Sequence, residues 1–233
     1  MFLTKIEIDP TRRLARKYLG SPQVMHAVIM KATGGNDGGG SGRVLWRVDR
    51  AAQSTTASLY VLSPSEPDCS QIVQEAGTAG LLARTLDYSP FLERLEAGQQ
   101  WIFRLAANPS YAASQGKGIR GKRVGHVTAE QQREWLITRT AGYGFELLST
   151  GEKLDDGADA TDSVVVVRRE RPVFGRQRPD GKTRDQVTIN RTVYEGVLSI
   201  TDAERLRHVL VSGIGRSKAY GCGLMTLVRI GRS

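Results

Sequence analysis

The side chain best suited to chemistry is that of His26, one of three histidines in the chain. It lies in the stretch SPQVMHAVIMKATGG, residues 21–35. An imidazole has a reference pKa of about 6.5 and can donate or accept a proton near neutral pH. The alternative is a helix residue packed among Met25, Val28 and Ile29 and satisfied by a backbone carbonyl. The local pattern alone favours this packing role.

Other kinds of catalytic site find little support in the sequence. Cys69 and Cys222 lie far apart and outside any CxxC pattern, which argues against a zinc site and fits a reducing cytoplasm. The sequence has no carboxylate cluster of the metal-nuclease kind. Neither His126 nor His208 belongs to a nucleophile arrangement. We therefore expect neither a metal nor a cofactor.

Positive charge is concentrated in two segments. The chain has 33 Lys and Arg against 24 Asp and Glu, a net charge of +9 that favours a polyanionic partner. The first segment, 168–191, carries Arg168, Arg169, Arg171, Arg176, Arg178, Lys182, Arg184 and Arg191, and the second carries Lys117, Arg120, Lys122 and Arg123. Glycine and proline interrupt the first segment, which predicts a strand pair with a protruding basic tip. Because arginine forks bind phosphates and guanine edges, we favour nucleic acid over a merely solvated surface.

A glycine-rich stretch, SGIGRSKAYGCGLMTL, spans residues 212–227. It lacks the glycine-lysine-Ser/Thr ending of a Walker loop, and Lys218 stands where a dinucleotide fingerprint needs its third glycine. Its backbone amides could approach a phosphate, with Lys218 adding charge. Glycine content alone favours a simpler helix end and turn.

The first half of the chain alternates strands and helices. Phe2 to Ile8 alternate as a half-buried strand. Asp9-Pro10 and Ser21-Pro22 each predict a helix start, and Gly34-Gly35 predict the end of the second helix and a mobile loop over 34–42. Strands are predicted at 43–49, 57–63 and 101–109, with a helix near 67–84. That order, strand–helix–strand–strand–helix–strand, is the ferredoxin-like unit.

The second half follows a rougher version of the same order. It predicts a helix over 128–141, strands at 145–150, 163–170 and 186–201 (bent at Gly196), a helix between Asp202 and Gly213, and a final strand at 222–230. The sequence therefore predicts an α+β fold with two tandem ferredoxin-like domains, 1–112 and 127–233, joined by a basic linker over 113–126.

A membrane location is not expected. No apolar run approaches the roughly 20 residues that a bilayer span needs. The beginning, MFLTKIEIDP, lacks the pattern of a signal peptide. We expect a cytoplasmic protein.

Five landmarks carry a resemblance to a known family. They are MFLTKIEI at the start, FRLAANP (103–109), GKRVGHVTAEQQREWL (121–136), VYEGVLSITD (193–202) and GIGRSKAYGCGL (213–224). Together and in this order they resemble the CasE (Cse3) family of CRISPR RNA-processing endoribonucleases, subunits of the type I-E Cascade complex. The resemblance covers nearly the whole chain.

This resemblance implies a specific activity. Such proteins bind the stem-loop of each CRISPR repeat in the precursor RNA and cut at the base of the stem without metal. The 2′-hydroxyl attacks the adjacent phosphorus and leaves a 2′,3′-cyclic phosphate and a 5′-hydroxyl. The enzyme then stays on the mature guide RNA, beside the other Cascade subunits.

The resemblance also implies roles for particular residues. Met25-His26 match the context of the family's catalytic histidine, and Lys31 matches a lysine that follows it. Gln23 stands where better-known bacterial members have a tyrosine, for which Tyr18 is a candidate substitute. Arg168 and Arg169 match an arginine pair that the family uses at the stem. We predict RNA contact for Gln23, Lys117, Lys122, Arg123, Arg168, Arg169, Arg171, Arg176, Arg178, Gly213, Gly215, Lys218 and Gly221.

The chemistry sets a geometric condition on the helix. His26 can act as acid or base, and Lys31 can stabilise negative charge on the phosphate oxygens. Residues five apart on a continuous helix point about 140° from each other, so His26 and Lys31 converge only if the helix ends or frays near Lys31. Gln23 shares the face of His26 and can orient a phosphate but carries no proton. The missing tyrosine motivates a rival hypothesis, a non-catalytic hairpin-binding subunit, and a general RNA-binding module is a third hypothesis.

Overall fold

The computed structural model describes residues 1–35, 43–50, 54–114, 116, 118–119, 121–148, 164–177 and 184–230, with the side chains of 177 and 184 left aside. The helices are α1 (Arg13–Gly20), α2 (Pro22–Ala32), α3 (Ser70–Ala76), α4 (Ser89–Glu93), α5 (Ala129–Ile137) and α6 (Ala203–Ser212). The strands are β1 (Phe2–Ile8), β2 (Leu45–Asp49), β3 (Ala57–Ser63), β4 (Arg84–Asp87), β5 (Gln100–Ala107), β6 (Ser110–Ala113), β7 (Lys122–Gly125), β8 (Phe145–Leu147), β9 (Val164–Glu170), β10 (Val173–Gln177), β11 (Arg184–Thr188), β12 (Arg191–Ile200) and β13 (Met225–Arg229). Short 3-10 turns lie at Ala141–Tyr143 and Lys218–Tyr220.

The first sheet has the order β2-β3-β1-β4, with antiparallel neighbours. The predicted alternation of β1 is confirmed: Ile6 and Ile8 are buried in one core with Met25 and Ile29 of α2. Leu3, on the opposite face, packs against the core of the second sheet. The first sheet is therefore covered on both faces.

The second sheet has the order β13-β5-β12-β8, and β9 also pairs with β12. Because β8 and β9 share one side of β12, they together occupy one strand position. When the strands of each domain are numbered along the chain, the two sheets then have the same strand order, written here in opposite directions. Phe103 of β5 lies in the core with Trp135 of α5 and Leu210 of α6. The fold is α+β with two tandem ferredoxin-like domains, as the sequence predicted.

The predicted place of residues 101–109 is wrong. This run forms β5, which pairs with β12 and β13 in the second sheet. The fourth strand of the first sheet is β4, a four-residue edge strand with three exposed residues, so its sequence lacks a strong apolar signal. The domain limits at 112 and 127 remain a prediction, and from the pairing we propose a boundary between β4 and β5. Part of the predicted linker pairs as the hairpin β6–β7.

Capping residues in the sequence predicted the start of α2 and both ends of α6 correctly. The side chain of Ser21 accepts a hydrogen bond from the Val24 N–H at 3.4 Å, and Pro22 opens α2. Asp202 caps α6, and Gly213 ends it with a φ of 78°. The predicted start of α1 is wrong, since the Asp9 carboxylate instead closes a turn with Thr11 and the helix begins at Arg13.

Three further predictions need correction or lie outside the description. The helix near 67–84 is shorter and covers Ser70–Ala76. The single strand over 186–201 is divided between β11 and β12, and its irregularity lies between Val193 and Tyr194 rather than at Gly196. Of the loop 34–42, residues 36–42 lie outside the described residues.

A buried arginine joins the two domains. Arg47 of β2 is 2% exposed and binds both carboxylate oxygens of Asp49 at 2.8 and 2.9 Å. Its Nη1 donates to the carbonyls of Arg104 on β5, at 2.8 Å, and Leu224, at 3.1 Å. Its Nη2 also donates to Thr226 on β13, at 2.9 Å. Because a buried cation is stable only when its donors are satisfied, this network holds β2 in one position on the second sheet.

No helix in the described part of the chain is long and apolar enough to cross a membrane.

Candidate active site and nucleic-acid interface

Helix α2 lies where the two domains meet. Its buried side includes Met25 and Ile29, while His26 is half-buried. The helix contacts the 3-10 turn Lys218–Tyr220 and strand β10, both of which follow β5 in the chain. His26 is therefore carried by an element of the first domain that packs on the second.

The structure does not meet the condition for convergence of His26 and Lys31. Helix α2 continues through Ala32, and the Thr33 N–H donates to the carbonyl of Ile29 at 3.0 Å. The helix does not fray at Lys31, so the side chains of His26 and Lys31 leave it about 140° apart. Lys31 is exposed. The pKa of Glu75 on α3 is lowered first by a hydrogen bond from Tyr18 and further by the charges of Lys31 and Lys17.

Gln23, which stands at the family's tyrosine position, and Tyr18, the candidate substitute for that tyrosine, differ in their surroundings. Gln23 is half-buried and lies one turn before His26 on a continuous helix, so the predicted common face is confirmed. Tyr18 is buried and donates its hydroxyl hydrogen bond to Glu75. Burial and this bond raise the pKa of Tyr18 to about 12. A phenol with that pKa is a poor proton acceptor near neutral pH, so the interpretation of Tyr18 as a substitute is not supported.

A large basic cleft lies on the second domain. It encloses about 790 Å³ between the hairpin β6–β7, the end of β9, the segment before β12 and the glycine-rich loop. Its lining includes Lys122, Arg123, Arg169, Arg171 and Arg216. The two basic segments that the sequence separates therefore meet in one cleft. Arg216 is the cation that the sequence-based prediction missed.

Arg168 and Arg169 lie on opposite faces of β9, because successive residues of a strand point to opposite faces, and their predicted contact with the RNA stem stays a prediction. Arg169 faces the cleft, and its Nε donates to Gln132 of α5 at 3.0 Å. Its Nη2 also donates to the carbonyl of Val127. Arg168 lines a separate cavity of about 80 Å³ that Pro22 and Met25 of α2 also line.

Glu170 ties the Arg168 side of β9 to the glycine-rich loop. Arg168 pairs with Glu170 at 2.6 Å, and Arg191 pairs with the other Glu170 oxygen at 3.2 Å. Arg191 also donates to the carbonyl of Tyr220 at 2.8 Å. This chain of contacts fixes Arg168 beside helix α2.

The basic strand pair is confirmed as β10–β11. Arg176 of β10 is exposed and lies 3.5 Å from a carboxylate oxygen of Asp185 on β11. Phe174 of β10 packs edge-on against Tyr220, with ring centroids 4.7 Å apart. Arg178 and Lys182 of the tip, and Lys117 and Arg120 of the second basic segment, lie outside the described residues.

The glycines of the loop serve close packing. A Cβ at Gly221 (φ +77°) would lie 2.7 Å from the Trp46 ring, and one at Gly213 would lie 2.7 Å from Leu45. A Cβ at Gly215 would approach Trp135 at 3.1 Å. RNA contact at Gly213, Gly215 and Gly221 remains a prediction. Because Gly213 and Gly221 are buried against β2, contact there would require the loop to move.

The remaining histidines and cysteines have ordinary surroundings. Burial, followed by the charge of Arg139, lowers the pKa of His126, whose ring lies 4.9 Å from that of Tyr111. His208 is exposed on α6. Cys69 and Cys222 are free and buried. Among the described residues, no three of His, Cys, Asp and Glu come together as metal ligands.

Comparisons with known proteins agree with this arrangement. Residues 1–229 match the family model described as CRISPR associated protein. The CRISPR-associated endoribonuclease Cse3 of Thermus thermophilus is 32% identical over 228 residues, 97% of this chain and 99% of that protein. The CRISPR system Cascade subunit CasE of Escherichia coli is 30% identical over 141 residues, 58% of this chain and 60% of that protein.

A solved structure extends the likeness to three dimensions. The structure of the CRISPR endoribonuclease Cse3 bound to a 19-nucleotide RNA superposes with a TM-score of 0.76 at 28% identity, covering 98% of this chain and all of that chain. Both the sequence match and the structural match span nearly the full length of the two proteins. The chain therefore belongs to the CRISPR associated protein family, in the CasE (Cse3) group of that family.

Proposed function

We propose that this protein is a metal-independent endoribonuclease that matures CRISPR RNA in the cytoplasm. It binds the stem-loop of the CRISPR repeat, cleaves at the base of the stem and remains on the hairpin beside the other Cascade subunits. The observation that carries the proposal is the position of α2: the helix of His26 packs on the turn Lys218–Tyr220, and Tyr220 lines the basic cleft. The helix that carries the proton-transfer group thus contacts a turn that borders a surface suited to a polyanion. The relatives Cse3 and CasE are named as an endoribonuclease and as a Cascade subunit, which supports the same function.

The proposed reaction is a transesterification within the RNA. The 2′-oxygen loses its proton and attacks the neighbouring phosphorus, the bond to the 5′-oxygen breaks, and that oxygen takes up a proton. The products are a 2′,3′-cyclic phosphate and a 5′-hydroxyl. His26 performs one of the two proton transfers, and Gln23, on the same helix face, orients the phosphate by hydrogen bonds.

Lysine and arginine side chains of the cleft, of β9 and of α2 supply the positive charge that faces the RNA. Lys122, Arg123, Arg169 and Arg171 hold RNA phosphates along the cleft, while Arg168 is positioned nearer to α2. Lys31 is exposed on α2 and adds positive charge near the same RNA strand. Because it does not share the face of His26, its stabilisation acts over a longer distance.

The test is a single-turnover cleavage assay in EDTA on the CRISPR repeat RNA of the same genome. Wild type is compared with His26→Ala and with His208→Ala, a matched control on an exposed helix face. General acid–base catalysis contributes about 10²–10⁴-fold, so we expect a loss of that size for His26→Ala, with RNA affinity within about twofold of wild type. The wild-type product should carry a cyclic phosphate. Equal cutting by wild type and His26→Ala would make His26 a packing residue.

A second candidate is a non-catalytic subunit that holds the RNA hairpin. Gln23 favours it, because an amide at this position cannot transfer a proton. Tight binding of the repeat by wild type without cleavage would support this alternative. Equal affinity for unrelated hairpins of the same length would instead indicate a general RNA-binding module.

A further inference from the structure

Two cations of the glycine-rich loop, Arg216 and Lys218, have different environments. We propose that Arg216 is the residue of this loop that contacts an RNA phosphate, that Asn108 positions it, and that Lys218 is a structural residue that stabilises the end of α6. This inference rests on the proposed RNA-binding role of the cleft. It reverses the prediction from sequence, which assigned the contact to Lys218.

Lys218 is already used within the protein. Its Nζ donates to the carbonyl of Ser212, the last residue of α6, at 2.7 Å. Burial, and then the charge of Arg43, lower the pKa of Lys218. A cation at a helix C-terminus satisfies a carbonyl that has no partner within the helix and interacts favourably with the helix dipole. Lys218 would have to give up this bond to reach RNA.

Arg216 is available to a ligand. Its side chain is exposed, lines the basic cleft and makes no hydrogen bond or ion pair with any residue that the structure describes. It shares the cleft wall with Lys122, Arg123 and Arg171. With Arg169, five cations line this cleft and favour a polyanion, and a guanidinium binds a phosphate with two parallel hydrogen bonds.

The backbone next to Arg216 is held in an unusual conformation. Ser217 has a φ of 62° and is the one non-glycine residue with a positive φ in the described stretches. Such a conformation is unfavourable for a residue with a side chain and persists only where the surroundings hold it. Since Ser217 directly follows Arg216, its conformation sets the direction in which Arg216 leaves the loop.

Asn108 supplies the contact that holds Ser217. Its Nδ2 donates to the Ser217 hydroxyl at 2.8 Å, and its Oδ1 accepts from the Asn190 N–H at 3.2 Å. The amide thus links the end of β5, the segment before β12 and the glycine-rich loop. Asn108 acts on RNA through Arg216 and is a positioning residue.

The salt dependence of RNA affinity separates a phosphate contact from a structural role. Each phosphate contact contributes about 0.7–0.9 to the slope of log affinity against log salt concentration. Affinity for the repeat RNA is measured from about 50 to 300 mM salt, in a His26→Ala background that limits cleavage. Circular dichroism and thermal melting of each variant report folding.

We expect Arg216→Gln to lose about tenfold in affinity and about 0.7–0.9 in slope while melting like its parent. Arg216→Lys should restore the slope. Lys218→Gln, the matched control, should melt at a lower temperature and keep the slope of its parent. Asn108→Ala should weaken binding in the parent but add little in the presence of Arg216→Gln, because positioning matters only when the guanidinium is present.

Each outcome decides one part of the proposal. An unchanged slope for Arg216→Gln, or a reduced slope for Lys218→Gln, would overturn the assignment of the contact. Full additivity of Asn108→Ala and Arg216→Gln would overturn the positioning role. If the parent protein failed to bind the repeat RNA at all, the proposed function itself would fail.

Discussion

Helix α2 carries Gln23, His26 and Lys31 within eleven consecutive residues, whereas the basic cleft collects its side chains from segments near 108–132, 169–171, 187–190 and 216–220. The helix is specified by its own caps and apolar spacing. The cleft exists only once β5, β9 and β12 pair and the glycine-rich loop packs. Residues at the junction of the domains should therefore matter for both regions, although they belong to neither.

Arg47→Met should show that the two regions depend on one interdomain contact. Removing one partner of a buried, hydrogen-bonded ion pair costs about 3–5 kcal/mol, since Asp49 and two carbonyls lose their donors. We expect a loss of this size in the free energy of unfolding, measured by urea denaturation. Arg13→Met, at an exposed position of α1, is the control and should change it by less than about 0.5 kcal/mol. Equal effects of the two substitutions would mean that Arg47 does not join the domains.

Gly221→Ala should disturb the packing of the glycine-rich loop on β2. The new Cβ would lie 2.7 Å from the Trp46 ring at a φ of +77°. Strain and overpacking together should lower the free energy of unfolding by about 2–4 kcal/mol. Gly20→Ala is the control, because nothing lies within 4 Å of the added carbon there. A stable Gly221→Ala protein with wild-type cleavage would contradict the close packing of loop and strand.

Lys31→Ala measures how far the charge on α2 acts. Because Lys31 points away from His26, we expect about a tenfold loss in single-turnover cleavage rate, well below that of His26→Ala. Lys17→Ala, which removes the other lysine acting on Glu75, is the control and should cleave at the wild-type rate. A loss as large as that of His26→Ala would show that the end of α2 rearranges on RNA and brings the two side chains together.

The sequence predicted correctly those helix ends that are set by interactions between neighbouring residues. The start of α2 at Ser21-Pro22 and both ends of α6 follow from capping, which involves only neighbouring residues. The sequence did not predict β4, because a four-residue, mostly exposed edge strand has no apolar pattern. The sequence did predict β5 as a strand but assigned it to the wrong sheet, because an apolar run does not show which strands it pairs with. The sequence does not distinguish Lys218 from Arg216, because both are cations in one loop and only their surroundings differ.

The sequence by itself determined helices α2, α5 and α6, most of the strands, the two basic segments and the resemblance of the chain to a family, because capping, periodicity and charge are properties of neighbouring residues. The tertiary structure alone decided the sheet that β5 joins, the burial of Arg47 between the domains and the cavities that Arg168 and Arg169 line. It also decided that Arg216 faces the cleft while Lys218 caps α6. These features depend on contacts between residues far apart in the chain, which strand pairing and close packing select and local sequence does not encode.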